Sequence, residues 1–409
     1  MAKRTIEEVD LTGRRVFLRV DFNVPLSKSG EVAEDARIRG VLPTIELARK
    51  AGARTVLASH LGRPKGRPDP KYSLRPVAAR LGQLVGEVVP LAADCVGPAV
   101  AAQARGLVPG ALLLLENLRF HPGEEANDPA FAMKLAALGD VFVNDAFAAA
   151  HRAHASTEGI TRYLRPAVAG LLMKQELEAL ARVFDAPARP LVAILGGAKV
   201  SDKLQLVESL LARVDRLLIG GGMAFTFLKA QGCPVGRSLL EADLVPVAAR
   251  LLETAKARGV DLRLPVDTVV AASIDAAAGE VLPVTAIPAD RMGLDIGPAT
   301  VAAFGEAVRD SHTVVWNGPM GVFERAPFAA GTIGIARAVA EAPGLTVVGG
   351  GDTVAAVEQA GVTRRIGYLS TGGGAFLEYL EGRTLPGVAA LDDRRIGAAG
   401  TAGGRDRPE

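Results

Sequence analysis

The sequence is poor in the residue types that mark several classes of protein. Only two cysteines occur in 409 residues, and neither has another cysteine or a histidine close along the chain. We therefore expect buried structural thiols rather than a disulfide framework or a metal site. Aromatic residues make up 4% of the chain and no basic run occurs, so nucleic acid is not an expected partner.

Long hydrophobic runs are also missing. No stretch approaches the ~18 uncharged apolar residues that a membrane-spanning helix needs, and the first residues lack the apolar core of a signal peptide. We expect a cytoplasmic protein without membrane contact. The net charge is only +2, yet residues 1–170 carry 23 lysines and arginines against 18 acidic residues. The first half is therefore the better candidate for binding a small anion.

Short apolar runs that end in glycine clusters dominate the second half. They are LVAILGGAK (191–199), RLLIGGGM (216–223), LTVVGGGDT (345–353) and YLSTGGGA (368–375). Runs of this length, rich in Val, Ile and Leu, are typical of strands buried on both faces of a parallel sheet. Glycines at the carboxyl end of such a strand let the backbone approach a ligand.

The first half alternates similar apolar runs with stretches of helical period, and the two halves together predict an α/β fold. We expect two doubly wound, Rossmann-like parallel-sheet domains joined by a helix, with a hinge and a cleft. The predicted limits are an amino domain over 1–169, an interdomain helix over 170–185 and a second domain over 186–385. The glycine-rich end, 396–409, is predicted to be a disordered tail.

Polar side chains follow the predicted strands of the basic half. Arginine suits carboxylate and phosphate because its planar fork donates two parallel hydrogen bonds. A single arginine of this kind is more often a solvated surface charge, but several that follow separate strands would converge on one anion. The histidines of HRAH could bind a metal only with a third ligand that the sequence does not supply nearby. The candidates that follow the strands are Asp21, Asn23, Arg37, Arg39, His60, Arg63, Arg119, His121 and Arg152, the last of them between His151 and His154.

The second half has the elements of a phosphate site without a standard nucleotide motif. GGAKVSDK lacks the P-loop spacing, and no cluster fits the Gly-x-Gly-x-x-Gly fingerprint. In GGGDTVAAVEQAG, however, Asp352 and Thr353 are placed to cap a helix whose N–H groups would face an anion. Lys199 and Lys203 are predicted to share one face of a helix. Glu324 could accept ribose hydroxyls, with an exposed surface glutamate as the alternative.

Several motifs together resemble the phosphoglycerate kinase family. RVDFNVP, SHLGRP, LENLRFH, NDAF with AHRAHAS, GGAKVSDK, GGGMAFTF, WNGPMGVFE, GGGDTVAA and STGGGA stand in the family's order from about residue 5 to 391. The resemblance implies reversible phosphoryl transfer, a step of glycolysis, between 1,3-bisphosphoglycerate with ADP and 3-phosphoglycerate with ATP. It also implies Mg²⁺, a monomer, hinge bending between the domains, and a segment of about 386–395 that packs back on the amino domain.

The resemblance assigns roles to individual residues. The phosphoglycerate contacts that it implies are Asp21, Asn23, Arg37, His60, Arg63, Arg119 and Arg152. It places Arg37, Lys199, Gly372 and Gly373 around the transferred group, and Asp352 on the metal. The nucleotide contacts that it implies are Gly197, Ala198, Lys203, Gly221, Asn317, Pro319, Glu324, Gly349, Gly350, Gly351, Asp352 and Thr353.

Two other functions compete with this interpretation. A non-catalytic nucleotide or anion sensor on the same scaffold would be favoured by loss of Lys199, Arg37 or Asp352, all of which are present. A dehydrogenase is disfavoured because the dinucleotide fingerprint is absent. A carboxylate acceptor is already ionised at neutral pH, so the expected reaction needs no catalytic base.

Overall fold

The structure, a computed structural model, describes residues 2–394, and the tail predicted over 396–409 lies outside them. The chain forms two compact units. The first contains the chain up to Ala146, Arg152–Lys174 and the described residues from Pro386 on. The second contains Phe147–His151 and Gln175–Leu385.

The first unit is built on a five-stranded sheet in the order β3-β2-β1-β4-β5, and every neighbouring pair is parallel. Its strands are almost wholly buried, as expected for a sheet covered on both faces. The parallel arrangement that the alternating pattern predicts is therefore present. The strands are β1 (Arg15–Arg19), β2 (Arg54–Ala58), β3 (Leu112–Leu114), β4 (Val141–Asn144) and β5 (Ala167–Ala169).

The second unit is built on a six-stranded parallel sheet in the order β14-β13-β12-β6-β7-β8. A three-stranded antiparallel sheet, β10-β9-β11, lies within the same unit and was not predicted, since the glycine-cluster pattern marks only the parallel strands. The strands are β6 (Leu191–Leu195), β7 (Arg216–Ile219), β8 (Asp261–Arg263), β9 (Asp267–Ala271), β10 (Glu280–Pro283), β11 (Met292–Ile296), β12 (Thr313–Asn317), β13 (Leu345–Gly349) and β14 (Tyr368–Ser370).

Helices connect the parallel strands in both units. The first unit's helices are α1 (Ala36–Lys50), α2 (Arg75–Val85), α3 (Pro98–Gly106), α4 (Pro122–Glu125) and α5 (Pro129–Ala136). The stretch predicted as an interdomain helix is helical as α6 (Leu171–Phe184). The remaining helices are α7 (Leu204–Leu210), α8 (Ala224–Ala230), α9 (Val245–Ala257), α10 (Pro298–Arg309), α11 (Ala330–Ala340), α12 (Gly351–Gln359), α13 (Gly374–Leu380) and α14 (Pro386–Ala389).

The strand order reverses once in each parallel sheet. In the first unit β1 lies between β2 and β4, and in the second β6 lies between β7 and β12. Crossovers leave in opposite directions from such a strand, so a crevice opens beyond its carboxyl end, where ligands bind in open α/β sheets. The loops after β1 and β6 are thus the positions at which the topology alone predicts two sites.

The end of the described chain belongs to the first unit. Lys3 forms a bridge with Asp393, and the Asp392 backbone N–H donates to Ala167 O at 2.8 Å. Of the two cysteines, Cys95 is buried as predicted, whereas Cys233 is only partly buried. Among the described helices, none has the length and apolar character that crossing a membrane requires.

Candidate active site

The loop after β1 holds an arginine against a carboxylate. Arg37, in the first turn of α1, donates from Nη1 to Asp21 Oδ2 at 2.8 Å and to Asn23 O at 3.1 Å. The Asn23 side chain in turn accepts a hydrogen bond from Gly62 N at 2.8 Å. The Arg37 side chain remains 40% exposed. The structure therefore fixes one edge of this guanidinium and leaves the rest accessible to an anion.

His60 lies in the loop after β2, where it is buried and held in one orientation. Its Nδ1 lies 3.2 Å from Nη2 of Arg19, which can only donate, so Nδ1 is the acceptor. Burial lowers the pKa of His60 well below its usual value, and the charges of Arg19 and Arg119 add to this. A neutral ring that accepts at Nδ1 carries its proton on Nε2. His60 can therefore donate one hydrogen bond to an anionic ligand.

Arg19 was not predicted from the sequence, although its hydrogen bonds hold both His60 and Ser156. Arg19 is the last residue of β1, is 1% exposed and donates from Nε to Ser156 Oγ at 2.9 Å. Ser156 donates from Oγ to Glu124 Oε1 at 2.5 Å, so a buried carboxylate sits behind the arginine. Burial lowers the pKa of Arg19, and the charge of Glu124 opposes that shift. The available signal was a charged residue within the apolar run VFLRVDF (16–22).

Of the remaining predicted arginines, Arg119 adds positive charge close to His60. Arg119 is buried, donates from Nη1 to Gly62 O at 2.8 Å and pairs with Glu125 at 3.1 Å. Burial lowers the pKa of Arg119, and Arg152 is among the cations close enough to lower it further. Arg63 follows Gly62 and is exposed. Hydrogen bonds and close charges thus link Asp21, Asn23, Arg37, His60 and Arg119 in the loops beyond one sheet.

In the second unit the loops after β6 and β12 are joined by backbone hydrogen bonds. Gly196 N donates to Asn317 O, and Gly197 N donates to Pro319 O, both at 2.9 Å. Gly221, after β7, has a φ of +67°, and a Cβ there would lie 2.6 Å from Gly197 N. Only glycine allows the backbones to approach so closely. This explains physically why the apolar strands end in glycine.

These loops border a cavity of about 630 Å³ within the second unit. That volume is in the usual range for small-molecule and cofactor sites. The exposed carboxylates at its border are those of Glu324 and Asp352. The predicted nucleotide residues that line the cavity are Gly197, Ala198, Gly221, Pro319, Glu324 and Asp352.

The two lysines do not share a helix face, contrary to the sequence prediction. Turns continue to Lys203 and helix α7 begins only at Leu204, so Lys199 and Lys203 both precede it. Lys199 is exposed, whereas Lys203 Nζ donates to Gly196 O and Asn317 Oδ1, each at 2.6 Å. Burial lowers the pKa of Lys203 to about 8. The two cations therefore have different environments.

The predicted cap of α12 is also wrong in detail. Helix α12 begins at Gly351, and its N-cap is Gly350, which has a φ of +96°. Thr353 instead accepts a hydrogen bond from Gly318 N at 2.7 Å, which links the loop after β12 to this helix. Asn317 Nδ2 donates to Gly349 O at 2.7 Å and ties the same loops together. Asp352, in the first turn of α12, lines the cavity, so the positive end of this helix lies beside it.

The STGGGA loop after β14 is supported by a buried glutamate that sequence reasoning missed. Glu176 of α6 accepts from Ser370 Oγ at 2.8 Å and from Thr371 N and Oγ1 at 2.7 Å. Gly372 N donates to Ser370 Oγ at 3.0 Å, and a Cβ on Gly372 would collide with the Phe147 ring. Glu176 is fully buried, and burial raises its pKa. This loop, with Gly373 at the cap of α13, is therefore fixed from inside its own unit.

We expect Glu176→Ala to lower both stability and turnover. The change removes the acceptor of the buried Ser370 hydroxyl, which costs about 1–3 kcal/mol of unfolding free energy. Displacement of the glycine loop should lower kcat roughly 10-fold with little change in KM. Thermal denaturation and steady-state kinetics measure both, with Glu178→Ala, an exposed residue of the same helix, as the control. Equal kcat values for the two variants would contradict the positioning role.

Comparisons with known proteins agree on one family. The family model described as phosphoglycerate kinase matches residues 6–383. The chain is 55% identical over 396 residues to the phosphoglycerate kinase of Anaeromyxobacter dehalogenans, covering 96% of this chain and 100% of the relative. It is 54% identical to the cytosolic phosphoglycerate kinase of Triticum aestivum, over 95% of this chain and 98% of the relative. The solved structure of phosphoglycerate kinase from Coxiella burnetii superposes with a TM-score of 0.88 at 42% identity, over 95% of this chain and 98% of that one.

Proposed function

The chain belongs to the phosphoglycerate kinase family, and we propose that its first unit binds the phosphoglycerate and its second unit the nucleotide. As a member it is a phosphotransferase that moves a phosphoryl group reversibly between 1,3-bisphosphoglycerate with ADP and 3-phosphoglycerate with ATP. This assignment of one ligand to each unit rests on the cations around His60 at one sheet and the cavity beside the glycine loops at the other.

In the first unit the anionic ligand is held by charge and by fixed donors. Arg37 presents its open edge, His60 donates from Nε2, and the exposed Arg63 closes around the phosphate of the ligand. Arg119 and Arg152 supply further positive charge, and Asp21 and Asn23 orient the loop and accept from ligand hydroxyls. Several cations around one small anion suit a molecule that carries both a carboxylate and a phosphate.

In the second unit the backbone approaches the nucleotide, and charged groups hold its ends. Ala198 and the neighbouring glycines lie against the base, Glu324 accepts from the ribose, and Lys203 with the first turn of α12 faces the phosphates. Asp352 offers exposed carboxylate oxygens at the cavity, the donor type that Mg²⁺ takes together with phosphate oxygens and water. The residues present therefore fit Mg²⁺, which when bound neutralises phosphate charge.

The chain's own contribution to transfer is positioning and charge stabilisation. The acceptor carboxylate is ionised at neutral pH and attacks without a base, so no side chain has to remove a proton. Lys199 and Arg37 bear the positive charge that follows the transferring group, and the N–H groups of Gly372 and Gly373 act on its oxygens. Transfer would follow closure of the two units, which also keeps water from the acyl phosphate.

Two exposed residues allow the division of substrates to be tested without disturbing the core. Arg63→Ala should raise the Kd of 3-phosphoglycerate about 10-fold and leave that of ADP unchanged, because a charge-assisted hydrogen bond is lost. Glu324→Ala should raise the Kd of ADP about 10-fold and leave that of 3-phosphoglycerate unchanged. Isothermal titration of each variant with each ligand measures both. If Arg63→Ala weakened ADP, or Glu324→Ala weakened 3-phosphoglycerate, the assignment of ligands to units would be wrong.

The depressed pKa of Lys203 predicts a pH dependence of nucleotide binding. The folded protein without ligand loses this positive charge as the pH rises through about 8, whereas a bound phosphate favours the protonated form. ADP affinity should therefore be constant below pH 8 and fall up to about tenfold per unit above it. Titrations in Mg²⁺ between pH 7 and 9.5 measure the slope. Lys203→Met should remove it, and Lys199→Met should keep it.

The setting that we propose follows the family. The protein acts in the cytoplasm as a monomer, in glycolysis, on small molecules and without nucleic acid or membrane partners. A cytosolic relative in Triticum aestivum supports the compartment. Size-exclusion chromatography with light scattering tests the monomer: a dimer at micromolar concentration would contradict it.

A further inference from the structure

Asp94, Cys95 and His121 of the first unit bring three kinds of metal ligand together. One ligand atom from each residue lies within 4.8 Å of the other two. Asp94 Oδ1 is 2.5 Å from His121 Nε2 and accepts from the Cys95 backbone N–H at 2.6 Å. A carboxylate oxygen, a sulfur and an imidazole nitrogen thus share one small volume.

The fold sets these positions, although the residues are far apart along the chain. A bridge between Leu91 and Leu114 places the loop that carries Asp94 and Cys95 beside β3. His121 ends the 3₁₀ turn Leu118–Phe120 after the same strand, and its ring stacks on Phe131 with centroids 4.9 Å apart. No histidine stands close to Cys95 in the sequence, so this neighbour was not predicted.

We propose that Asp94, Cys95 and His121 bind a thiophilic divalent cation, with Zn²⁺ the best match. Zn²⁺ takes cysteine, histidine and carboxylate ligands, and sites with three protein ligands complete the tetrahedron with water. Mg²⁺ takes oxygen ligands and demands an octahedron, so this site is separate from the magnesium of the reaction. Cys95 is buried, but the side chains of Asp94 and His121 are 49% and 29% exposed, so the ion and its water enter from that side.

Binding exchanges a proton for the metal. The Cys95 thiol donates to Glu116 O at 2.8 Å. On binding, the S–H bond breaks, its proton leaves to solvent and the thiolate sulfur bonds the ion. The proton that His121 Nε2 shares with Asp94 moves to Nδ1 by exchange with solvent, so that Nε2 can bond the ion in its place. The ion then links the loop of Cys95 to the turn that carries Arg119. Because the folded site binds the metal and the unfolded chain has no preformed site, Zn²⁺ should raise the melting temperature.

Cobalt titration of the full-length, reduced and metal-free protein tests the site. Co²⁺ bound to a thiolate gives a sulfur-to-cobalt charge-transfer band in the near ultraviolet, and competition then gives the Zn²⁺ affinity. Wild type should take up one equivalent. Cys95→Ala should abolish the band, and His121→Gln should raise the Kd more than about 10-fold, since even outer-shell changes cost that much. The controls Cys233→Ala and the exposed His312→Gln should bind like wild type.

Two results would overturn the proposal. One is the absence of a charge-transfer band in the wild type, and the other is a band that survives Cys95→Ala but is lost in Cys233→Ala. If circular dichroism shows that Cys95→Ala does not fold, the melting temperature of His121→Gln decides. A Zn²⁺-induced rise in that variant equal to the wild-type rise would place the ion elsewhere.

Discussion

Lys199→Ala is expected to lower kcat at least about 100-fold while the Kd of ADP stays within several-fold of wild type. Lys199 is exposed at the end of the loop after β6, whereas Lys203 beside it is fixed to the loop backbone and to Asn317. An exposed cation of this kind can stay close to the phosphoryl group as it moves. It stabilises that group most in the transition state, where negative charge is shared between donor and acceptor. Its loss should therefore be felt in the transition state rather than in the bound ground state.

The Lys199 prediction is measured by a coupled assay for ATP consumption that depends on 3-phosphoglycerate, combined with ADP titration. Lys229→Ala removes another exposed lysine of the same unit, at the end of α8, and should leave both quantities unchanged. Lys203→Ala should instead raise the Kd of ADP more than it lowers kcat. If Lys199→Ala bound nucleotide more weakly but turned over normally, this lysine would stabilise the bound ground state and not the transition state.

The placement of the candidate residues beyond strand ends was predictable from the sequence. An apolar run fixes where a parallel strand stops, and the carboxyl ends of such strands lie on one edge of the sheet. Asp21 and Asn23 after β1, His60 after β2 and the glycines after β6 therefore fall where the pattern places them. The strand order, which could not be derived from the pattern, adds that β1 and β6 are the strands at which the order reverses.

The supporting residues were not predictable because their partners are distant in the chain. Glu176 is one of several polar residues in an amphipathic helix, and only the fold brings Ser370 and Thr371 to it. Arg19 ends a strand in which the three preceding side chains are apolar and buried, and its partner Ser156 comes from a distant loop. Periodicity reports which face of an element is buried, but not which side chain meets another there.

The prediction that Lys199 and Lys203 share a helix face was wrong for a different reason. Spacing of four places two residues on one helix face only if both lie in the helix, and here the turns continue to Lys203. Hydrogen bonds from its Nζ to Gly196 O and Asn317 O hold the preceding segment against the strand loops, so α7 starts later. Lys203 is thus bonded to the loops while Lys199 is exposed, a difference that supports the proposal of binding for Lys203 and transfer for Lys199.

Arg37→Ala is expected to lower kcat/KM for 3-phosphoglycerate roughly 10²–10³-fold, with both a higher KM and a lower kcat. Arg37 is the residue of the first unit whose guanidinium is held on one edge by Asp21 and open on the other. Its removal deletes a donor for the bound ligand and for the transferring group. It also leaves the Asp21 carboxylate without its ion-pair partner and facing an anionic substrate, so repulsion adds to the lost attraction.

Arg39 provides a matched control for Arg37, because it lies two residues further along α1 and pairs with Asp35 at 2.8 Å instead of with the loop after β1. Arg39→Ala should leave kcat and KM near wild type. Arg37→Lys should fall between wild type and Arg37→Ala, since lysine keeps the charge but not the planar fork that reaches Asp21 and the ligand together. An unchanged saturation curve for Arg37→Ala would remove this arginine from the site, because no anion that it contacts could bind equally well without it.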